Sequence, residues 1–272
     1  MEFPALRRFA RSAAAISGTL IAMANRTFAI GDVHGDLEHL LTLLSRFPPL
    51  DPDDTIVFLG DYLDRGPASA QVIAAVRALQ AGHAACEVVA LRGNHEDAWL
   101  RAIDHGWPEF VLPPQNGCAA AMRSFTGGRP AEDQPATPAE MDMLLSGRFF
   151  PPDVVAWMRE LPWWYEDEHA IYVHAGVPRQ DGRWLHPGQV ENRMVLLWTR
   201  AKEMFLEYRG KTLVIGHTVT SFLPAELCEH SPCDPDDLWA GENIIALDTG
   251  CGKGGFLTAV ELPSRTVYES RD

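Results

Sequence analysis

The chain has 272 residues, of which 46% are hydrophobic and 22% charged, the balance of an ordinary globular protein that can bury a sizeable core. This length suits one large α/β domain or two small ones. The net charge of −14 argues against a general nucleic-acid or anionic-membrane binder, because phosphate backbones attract clustered Lys and Arg.

Residues 1–24 stand apart from the rest of the sequence. Three arginines precede a mildly apolar stretch that loosely resembles a secretory signal, but the stretch is too short to span a membrane. We interpret residues 1–24 as an extension that is disordered, helical or upstream of a natural start at Met23, and residues 25–272 as one domain. The five cysteines are odd in number and contain no CxxC pair, so we expect a reduced, cytoplasmic setting.

The first strong signal lies at residues 28–35. A short apolar run, Phe28–Ile30, ends in the sequence Gly-Asp-Val-His-Gly, which is typical of a buried strand that opens into a functional turn. Asp32 and His34 are two residues apart, so on an extended chain they would share a face. Both side chains can bind metal, and we predict a ligand-binding turn here.

The same arrangement recurs twice further along the chain. An apolar strand at 55–59 runs into Gly60-Asp61, and another at 86–91 precedes Gly93-Asn94-His95. This alternation of strand, turn and helix is the βαβ rhythm of a sheet whose active residues gather at the strand ends. The helices predicted between these strands are 37–44, capped by Asp36, and 68–81.

From His105 to Pro162 the pattern changes, because repeated prolines break the chain into short helical pieces. We predict helices at 115–125, 138–145 and 152–161 and interpret residues 105–162 as an inserted helical cap. Insertions over a rigid site commonly set specificity, so we expect the cap to select the substrate.

Strands return after the cap, and two of them end in histidine. His174 follows a strand at 170–173, and His217 follows one at 212–215. The remaining predicted strands are 243–247, 255–262 and 266–270.

Six side chains with metal-binding chemistry therefore follow strand ends. They are Asp32, His34, Asp61, Asn94, His174 and His217. Any one of them alone is best explained as a turn residue or an ordinary histidine, but their shared position predicts that they converge. A mixed oxygen and nitrogen set suits Mn²⁺, Fe or Zn²⁺, and of these we expect Mn²⁺. Two metals roughly 3.5–4 Å apart that share a carboxylate would use all six and activate water against a phosphoryl group.

Three further residues fit roles around such a centre. His95 could protonate a leaving oxygen, with Asp64 holding its imidazole in the required tautomer. Arg65 offers a bidentate fork for phosphate oxygens. Taken singly, these residues could equally be a helix-start histidine, a turn aspartate and a surface ion pair.

Three segments together resemble the signatures of the PPP-type phosphoprotein phosphatases, a bacterial and phage subgroup of which is most similar. They are Gly31–Gly35, Gly60–Gly66 and Gly93–Glu96, and they have the order and spacing of that family. The likeness covers about residues 26–262. It implies the calcineurin-like metallophosphoesterase fold, an α/β architecture with a two-sheet β-sandwich core flanked by helices and carrying the cap.

The resemblance also implies a role for each matching residue. The implied metal ligands are Asp32 and His34 for the first metal, Asp61 as the bridge, and Asn94, His174 and His217 for the second. The implied phosphate-binding residues are Arg65, Arg200, Asn94 and His217. The implied general acid is His95, paired with Asp64.

These roles predict a phosphomonoesterase that acts on phosphoserine or phosphothreonine proteins, and in addition on phosphotyrosine, by direct attack of a metal-activated hydroxide. The alternative is a related hydrolase of dinucleoside polyphosphates such as diadenosine tetraphosphate. Symmetrical tetraphosphatases tend to depart at Asp-Arg-Gly and to carry Asp after Gly-Asn-His. This chain keeps Asp64-Arg65-Gly66 and Glu96, so the sequence favours the protein phosphatase. We expect a monomer that binds a phosphoprotein or phosphopeptide, and no nucleic acid or membrane.

One competing pattern involves Cys86 and Arg92, which have the C-x5-R spacing of a cysteine-based tyrosine phosphatase. The residues between them have the composition of a core strand and lack the glycines of a phosphate-binding loop. We therefore expect Cys86 to play no part in catalysis.

Overall fold

The computed structural model describes residues 25–128, 136–230, 234 and 236–271. Two five-stranded mixed sheets pack face to face, and helices cover the outer face of the first. This architecture confirms the predicted two-sheet core. The predicted extension at residues 1–24 lies outside the described residues.

The elements are numbered in chain order. The strands are β1 (Thr27–Ile30), β2 (Thr55–Phe58), β3 (Glu87–Ala90), β4 (Trp164–Glu166), β5 (Ile171–Val173), β6 (Arg179–Gln180), β7 (Arg183–Trp184), β8 (Leu213–Ile215), β9 (Trp239–Ala240), β10 (Ile244–Ala246), β11 (Thr258–Leu262) and β12 (Thr266–Glu269). The α-helices are α1 (Leu37–Ser45), α2 (Ser69–Ala78), α3 (Asn94–His105), α4 (Pro108–Val111), α5 (Cys118–Thr126), α6 (Pro138–Ser146), α7 (Pro152–Glu160), α8 (Val195–Trp198) and α9 (Lys202–Glu207).

The first sheet has the strand order β12-β11-β1-β2-β3, and the second has the order β4-β5-β8-β10-β9. Each sheet contains three neighbouring parallel strands, β1, β2 and β3 in the first and β5, β8 and β10 in the second, and predicted site residues follow all of these except β10. Parallel strands place their carboxyl ends on the same edge of a sheet, so both sheets contribute loops to one place.

The inner layer between the sheets is apolar. Ala29 and Val57 from the first sheet pack in one cluster with Tyr172, Val214 and Ile245 from the second. Every residue of β1 is buried, which is why its sequence is a continuous apolar run rather than an alternating one.

The first helix shows how the local sequence defines an element. The Asp36 carboxylate accepts a hydrogen bond from the His39 backbone N–H at 3.1 Å, as predicted for the N-cap of α1. Leu40, Leu43 and Leu44 face the core.

Two predicted helix boundaries are wrong for local reasons. The helix predicted at 115–125 begins only at Cys118, because Gly117 has a left-handed backbone (φ 72°) that separates a 3₁₀ turn at Pro114–Asn116 from α5. The helix predicted at 68–81 ends at Ala78 and continues as a wider π turn over Leu79–His83. No helix in the described ranges combines the length and apolar character that crossing a bilayer requires.

Candidate metal centre

The structure brings all six predicted metal ligands together. They lie in the loops that follow β1, β2, β3, β5 and β8, and none is more than 4% exposed: Asp32, His34, Asp61, Asn94, His174 and His217. Side chains from both sheets therefore meet in one buried cluster. A buried set of carboxylates and imidazoles requires compensating partners, and divalent cations are one such partner.

Asp61 occupies the middle of this cluster. One carboxylate oxygen lies 3.4 Å from His34 Nε2, and the other lies 3.5 Å from His174 Nε2. Two groups of closely spaced ligand atoms, within 4.8 Å of one another, share Asp61. One group adds His34 and His95, and the other adds Asp32 and His174. This shared position is the one that a bridging carboxylate between two metals would occupy.

Asn94 joins the two later histidines. Its Oδ1 lies 2.8 Å from His174 Nε2 and 2.8 Å from His217 Nδ1. Nε2 of His217 is buried and has no hydrogen-bond partner among the described residues. A buried, unpaired imidazole nitrogen is costly unless it binds a ligand, and metal coordination is the usual one.

The backbone at this site is strained. Of the seven non-glycine residues with positive φ in the described part of the chain, five are predicted site residues: His34, Asp61, Asp64, Arg65 and His217. Such left-handed conformations cost of order 1 kcal/mol each and persist where the surrounding fold enforces them. Strain concentrated in this way is typical of a functional site.

Two glycines let the carboxylates approach the loops closely. A Cβ at Gly93 would lie 2.1 Å from the Asp61 carboxylate, and a Cβ at Gly216 would lie 2.0 Å from the Asp32 carboxylate. Any larger residue would displace a predicted ligand. The glycines of the sequence motifs are therefore required for space as well as for turning.

The two central carboxylates have opposite electrostatic environments. Burial, together with the negative charges of Asp248 and Asp61, holds the pKa of Asp32 well above its ordinary value. Burial also acts to raise the pKa of Asp61, but electrostatic interactions with the nearby His174, His95 and His34 side chains and the hydrogen bond from the His95 N–H lower that pKa. Asp61 is thus ionised and suited to bind cations.

Burial lowers the pKa of three histidines in the cluster: His34, His174 and His217. The neutral imidazole is the form that binds metal. The ring nitrogens opposite the cluster are fixed by backbone carbonyls, with His34 Nδ1 3.1 Å from the Leu63 oxygen and His174 Nδ1 2.8 Å from the Leu59 oxygen. These contacts orient the His34 and His174 rings so that Nε2 faces the cluster.

The predicted general-acid pair lies at one side of the cluster. His95 Nδ1 is 2.6 Å from Asp64 Oδ2, and its Nε2 is 3.9 Å from Asp61 Oδ2. The Arg65 guanidinium contacts His34 Nε2. On the opposite side, Arg200 donates to the Thr218 hydroxyl at 3.3 Å and to the His217 carbonyl oxygen at 3.4 Å. The two predicted phosphate-binding arginines thus border the cluster at His34 and at His217.

Sequence reasoning missed two buried acids that support these loops. Glu96 accepts hydrogen bonds from the N–H groups of Asp61, Tyr62 and Gly93, each at 2.9 Å, and so ties the second and third motifs together. Burial, with a further contribution from Asp61, raises the pKa of Glu96 to about 8. Asp248 is fully buried beyond the end of β10 and lies 3.7 Å from Lys253. Its place after an apolar strand was the signal that could have identified it.

Cys86 has none of the properties of a nucleophile. It lies one residue before β3, and burial raises the pKa of its thiol to about 11. A catalytic cysteine requires a lowered pKa.

The model of the calcineurin-like phosphoesterase family matches residues 26–221, and the chain belongs to that family. It is a metal-dependent phosphoesterase, and its buried His/Asp clusters are consistent with a dinuclear site. The symmetrical bis(5'-nucleosyl)-tetraphosphatase of Janthinobacterium sp. (strain Marseille) is 29% identical to it over 89% of this chain and 95% of that protein.

Two solved structures show the same fold. A metallophosphoesterase from Sphaerobacter thermophilus has a TM-score of 0.52 at 19% identity and covers 91% of this chain and 87% of its own. A cold-active protein-tyrosine phosphatase of a psychrophile, Shewanella sp., has a TM-score of 0.50 at 18% identity and covers 91% of this chain and 80% of its own. At these identities the likeness concerns the fold alone.

Proposed function

We propose that this chain hydrolyses dinucleoside polyphosphates of the diadenosine tetraphosphate type at a dinuclear metal centre. The observation that carries the proposal is the likeness to a symmetrical bis(5'-nucleosyl)-tetraphosphatase, which extends over 89% of this chain and 95% of the relative. The preference for a phosphoprotein rested on two features of the motifs, the intact Asp64-Arg65-Gly66 and Glu96. A likeness along nearly the whole chain, including the cap, outweighs these two features.

The donor set fits two divalent cations. Asp32, His34 and Asp61 would hold one of them, and Asp61 with Asn94, His174 and His217 would hold the other. The orphaned Nε2 of His217 and the neutral character of the histidines support this assignment. Cations bound there would supply Lewis acidity, an activated water and charge neutralisation for the phosphoryl group.

The protein's own residues provide the remaining functions. Arg65 and Arg200 border the cluster from two sides, so a phosphoryl group lying over the cluster would meet a guanidinium on each side. Planar guanidinium groups suit the paired oxygens of a phosphate. Asn94 and His217, the other two implied phosphate-binding residues, lie 2.8 Å apart in the same cluster. This arrangement orients phosphorus for in-line attack and offsets the charge of the polyphosphate.

The leaving oxygen would take its proton from His95. Because Nδ1 of His95 is held by Asp64, the Nε2 atom faces the cluster and can donate a proton there. Hydrolysis at the central bridge of diadenosine tetraphosphate would consume one water and yield two molecules of ADP.

A phosphoserine or phosphothreonine protein is the second candidate, and the short His95–Asp64 hydrogen bond favours it. An alkoxide is a poor leaving group and needs a proton more than a nucleoside diphosphate does. A well-built general acid is therefore the feature expected of an enzyme that cleaves phosphate monoesters of alcohols.

The test is an assay of the metal-reconstituted protein on diadenosine tetraphosphate and on phosphoserine and phosphothreonine peptides. We expect kcat/KM to favour the nucleotide by more than about tenfold, a difference of roughly 1.4 kcal/mol, with ADP as the only nucleotide product. A tenfold preference for the peptides would overturn the proposal and support the second candidate.

A further inference from the structure

Asp64 has more hydrogen-bond partners than its pairing with His95 requires. It is fully buried, and its carboxylate accepts hydrogen bonds from three side chains rather than from His95 alone. Trp99 Nε1 donates to both oxygens, at 2.9 Å and 3.1 Å. The Cys118 thiol lies 3.7 Å from Oδ2, the oxygen that also meets His95. A buried carboxylate needs such partners, and two contacts from one indole fix the orientation of its plane.

Trp99 is itself held in place by the cap. It lies one helical turn after His95 on α3 and is completely buried. Its ring meets Phe149 and Phe150 edge-on, with centroids 5.1 Å and 5.2 Å away. Edge-to-face contacts at this distance define a ring's orientation as well as its burial. The indole N–H therefore has little freedom to leave Asp64.

A second cap contact reaches the same pair. Cys118 begins α5, and its sulfur also lies 3.8 Å from the Phe110 carbonyl oxygen. The Phe110 ring packs edge-on against His95 at 5.2 Å. Both members of the His95–Asp64 pair thus touch residues of the cap segment.

We infer that Trp99 is a positioning residue for proton donation, and that the cap, acting through Trp99 and Cys118, orients Asp64 and with it His95. The inference rests on the proposed function only in that His95 gives its proton to the leaving oxygen. The cap was predicted to select the substrate. Here it has a second role, since it completes the proton-donating side of the site.

The test is a substitution that removes the indole N–H and keeps a large aromatic ring. Trp99→Phe does this, and Trp157→Phe is the matched control because Trp157 Nε1 donates to Gln80 Oε1 at 2.9 Å, away from the acid pair. Both variants and the wild type are assayed at one pH on p-nitrophenyl phosphate, a good leaving group, and on a simple alkyl phosphate, a poor one.

For Trp99→Phe we expect kcat on the alkyl phosphate to fall about tenfold, with KM and the rate on p-nitrophenyl phosphate within about twofold of wild type. Asp64→Asn should show the same pattern more strongly, and Trp157→Phe should match wild type on both substrates. An equal loss on both substrates, or no loss on either, would contradict the inference. These esters test the acid whichever natural substrate is correct, so failure here is distinguishable from failure of the proposed function.

A second readout needs no turnover. The Nδ1 proton of His95 should give a far-downfield NMR resonance in the metal-free wild type, and this resonance should broaden or move upfield in Trp99→Phe. An unchanged resonance would contradict the inference.

If Trp99→Phe does not fold, Cys118→Ala removes the weaker donor to the same oxygen, and we expect a loss of about twofold confined to the alkyl phosphate. A loss shared by both substrates would again count against it.

Discussion

The two sides of the site are built in different ways. The metal side consists of short loops after parallel strands, with strained backbones at His34, Asp61 and His217 and with carboxylates packed against glycines. The acid side consists of His95 and Asp64 enclosed by aromatic side chains from α3 and the cap. The positions of the metal ligands depend on where the strands of the two sheets end. The position of the His95–Asp64 pair depends on side-chain packing between separate segments.

This difference affects how mutations on the two sides should act. The metal side is fixed by the core, because five of the six ligands follow strands that are almost completely buried, β1, β2, β5 and β8. The acid side depends on contacts with the predicted cap at residues 105–162, which lies outside the two sheets. Substitutions on the metal side should therefore abolish activity on every substrate. Substitutions in the cap should instead change the activity on some substrates only, or change the stability of the protein.

The largest effect is expected at Asp61, the carboxylate shared by both ligand groups. Asp61→Asn should lower kcat by about three orders of magnitude on every phosphoester, because the amide is neutral and binds cations weakly. Chelation by EDTA should have the same effect. The control is Asp153→Asn, since Asp153 pairs with Arg77 at the surface of α7. Activity of Asp61→Asn within tenfold of wild type would contradict the central role of this carboxylate.

A smaller effect is expected at Arg200, which lies between α8 and α9 and contacts the His217 carbonyl oxygen. Arg200→Lys keeps the charge but loses the planar fork, so kcat/KM should fall about 10- to 100-fold. Arg209→Lys is the control, because Arg209 forms an exposed pair with Glu242. If both variants retained wild-type kcat/KM, Arg200 would have no role in binding phosphate.

The smallest effect is expected in the cap at Glu140. A hydrogen bond from Arg123, followed by one from the Thr137 N–H, lowers the pKa of Glu140 to about 2 from an ordinary 4.5. A lowered acid pKa stabilises the folded state above the unfolded value, and this contribution is lost as the pH falls through the folded value. Glu140→Gln should reduce the free energy of unfolding by about 0.5–1 kcal/mol at pH 7, with activity unchanged.

Urea denaturation at several pH values checks this expectation. The difference between Glu140→Gln and wild type should shrink as the pH falls from 4.5 towards 2. A difference that is constant with pH would show that the ion pair with Arg123 is not its cause.

The positions of the six predicted ligands could be inferred from the sequence because each depends on local structure. Asp32, Asp61 and His174 each follow a short apolar strand, and their place in the fold follows from that strand. The acid side was only partly predictable. His95 and Asp64 were recognised from their motifs, but Trp99 looks in sequence like one more core residue of a helix. Its hydrogen bond to Asp64 depends on the packing of α3 against the cap, which no local pattern encodes.

Dependence on non-local contacts also explains why β4 and β9 were not predicted from the sequence. β4 and β9 pair antiparallel at the two edges of the second sheet, and each has only two or three residues. Strands so short carry no periodicity of their own, and they are defined by the neighbour that they pair with.

The central claim is that six side chains form a dinuclear centre, and metal content tests it most directly. Protein stripped by chelation, reloaded with Mn²⁺ and freed of excess metal should contain two ions per chain by elemental analysis. Asp61→Asn should contain one or none, and Asp153→Asn should contain two. A wild-type chain that binds one ion or none under these conditions, or an Asp61→Asn variant that retains two, would contradict the account.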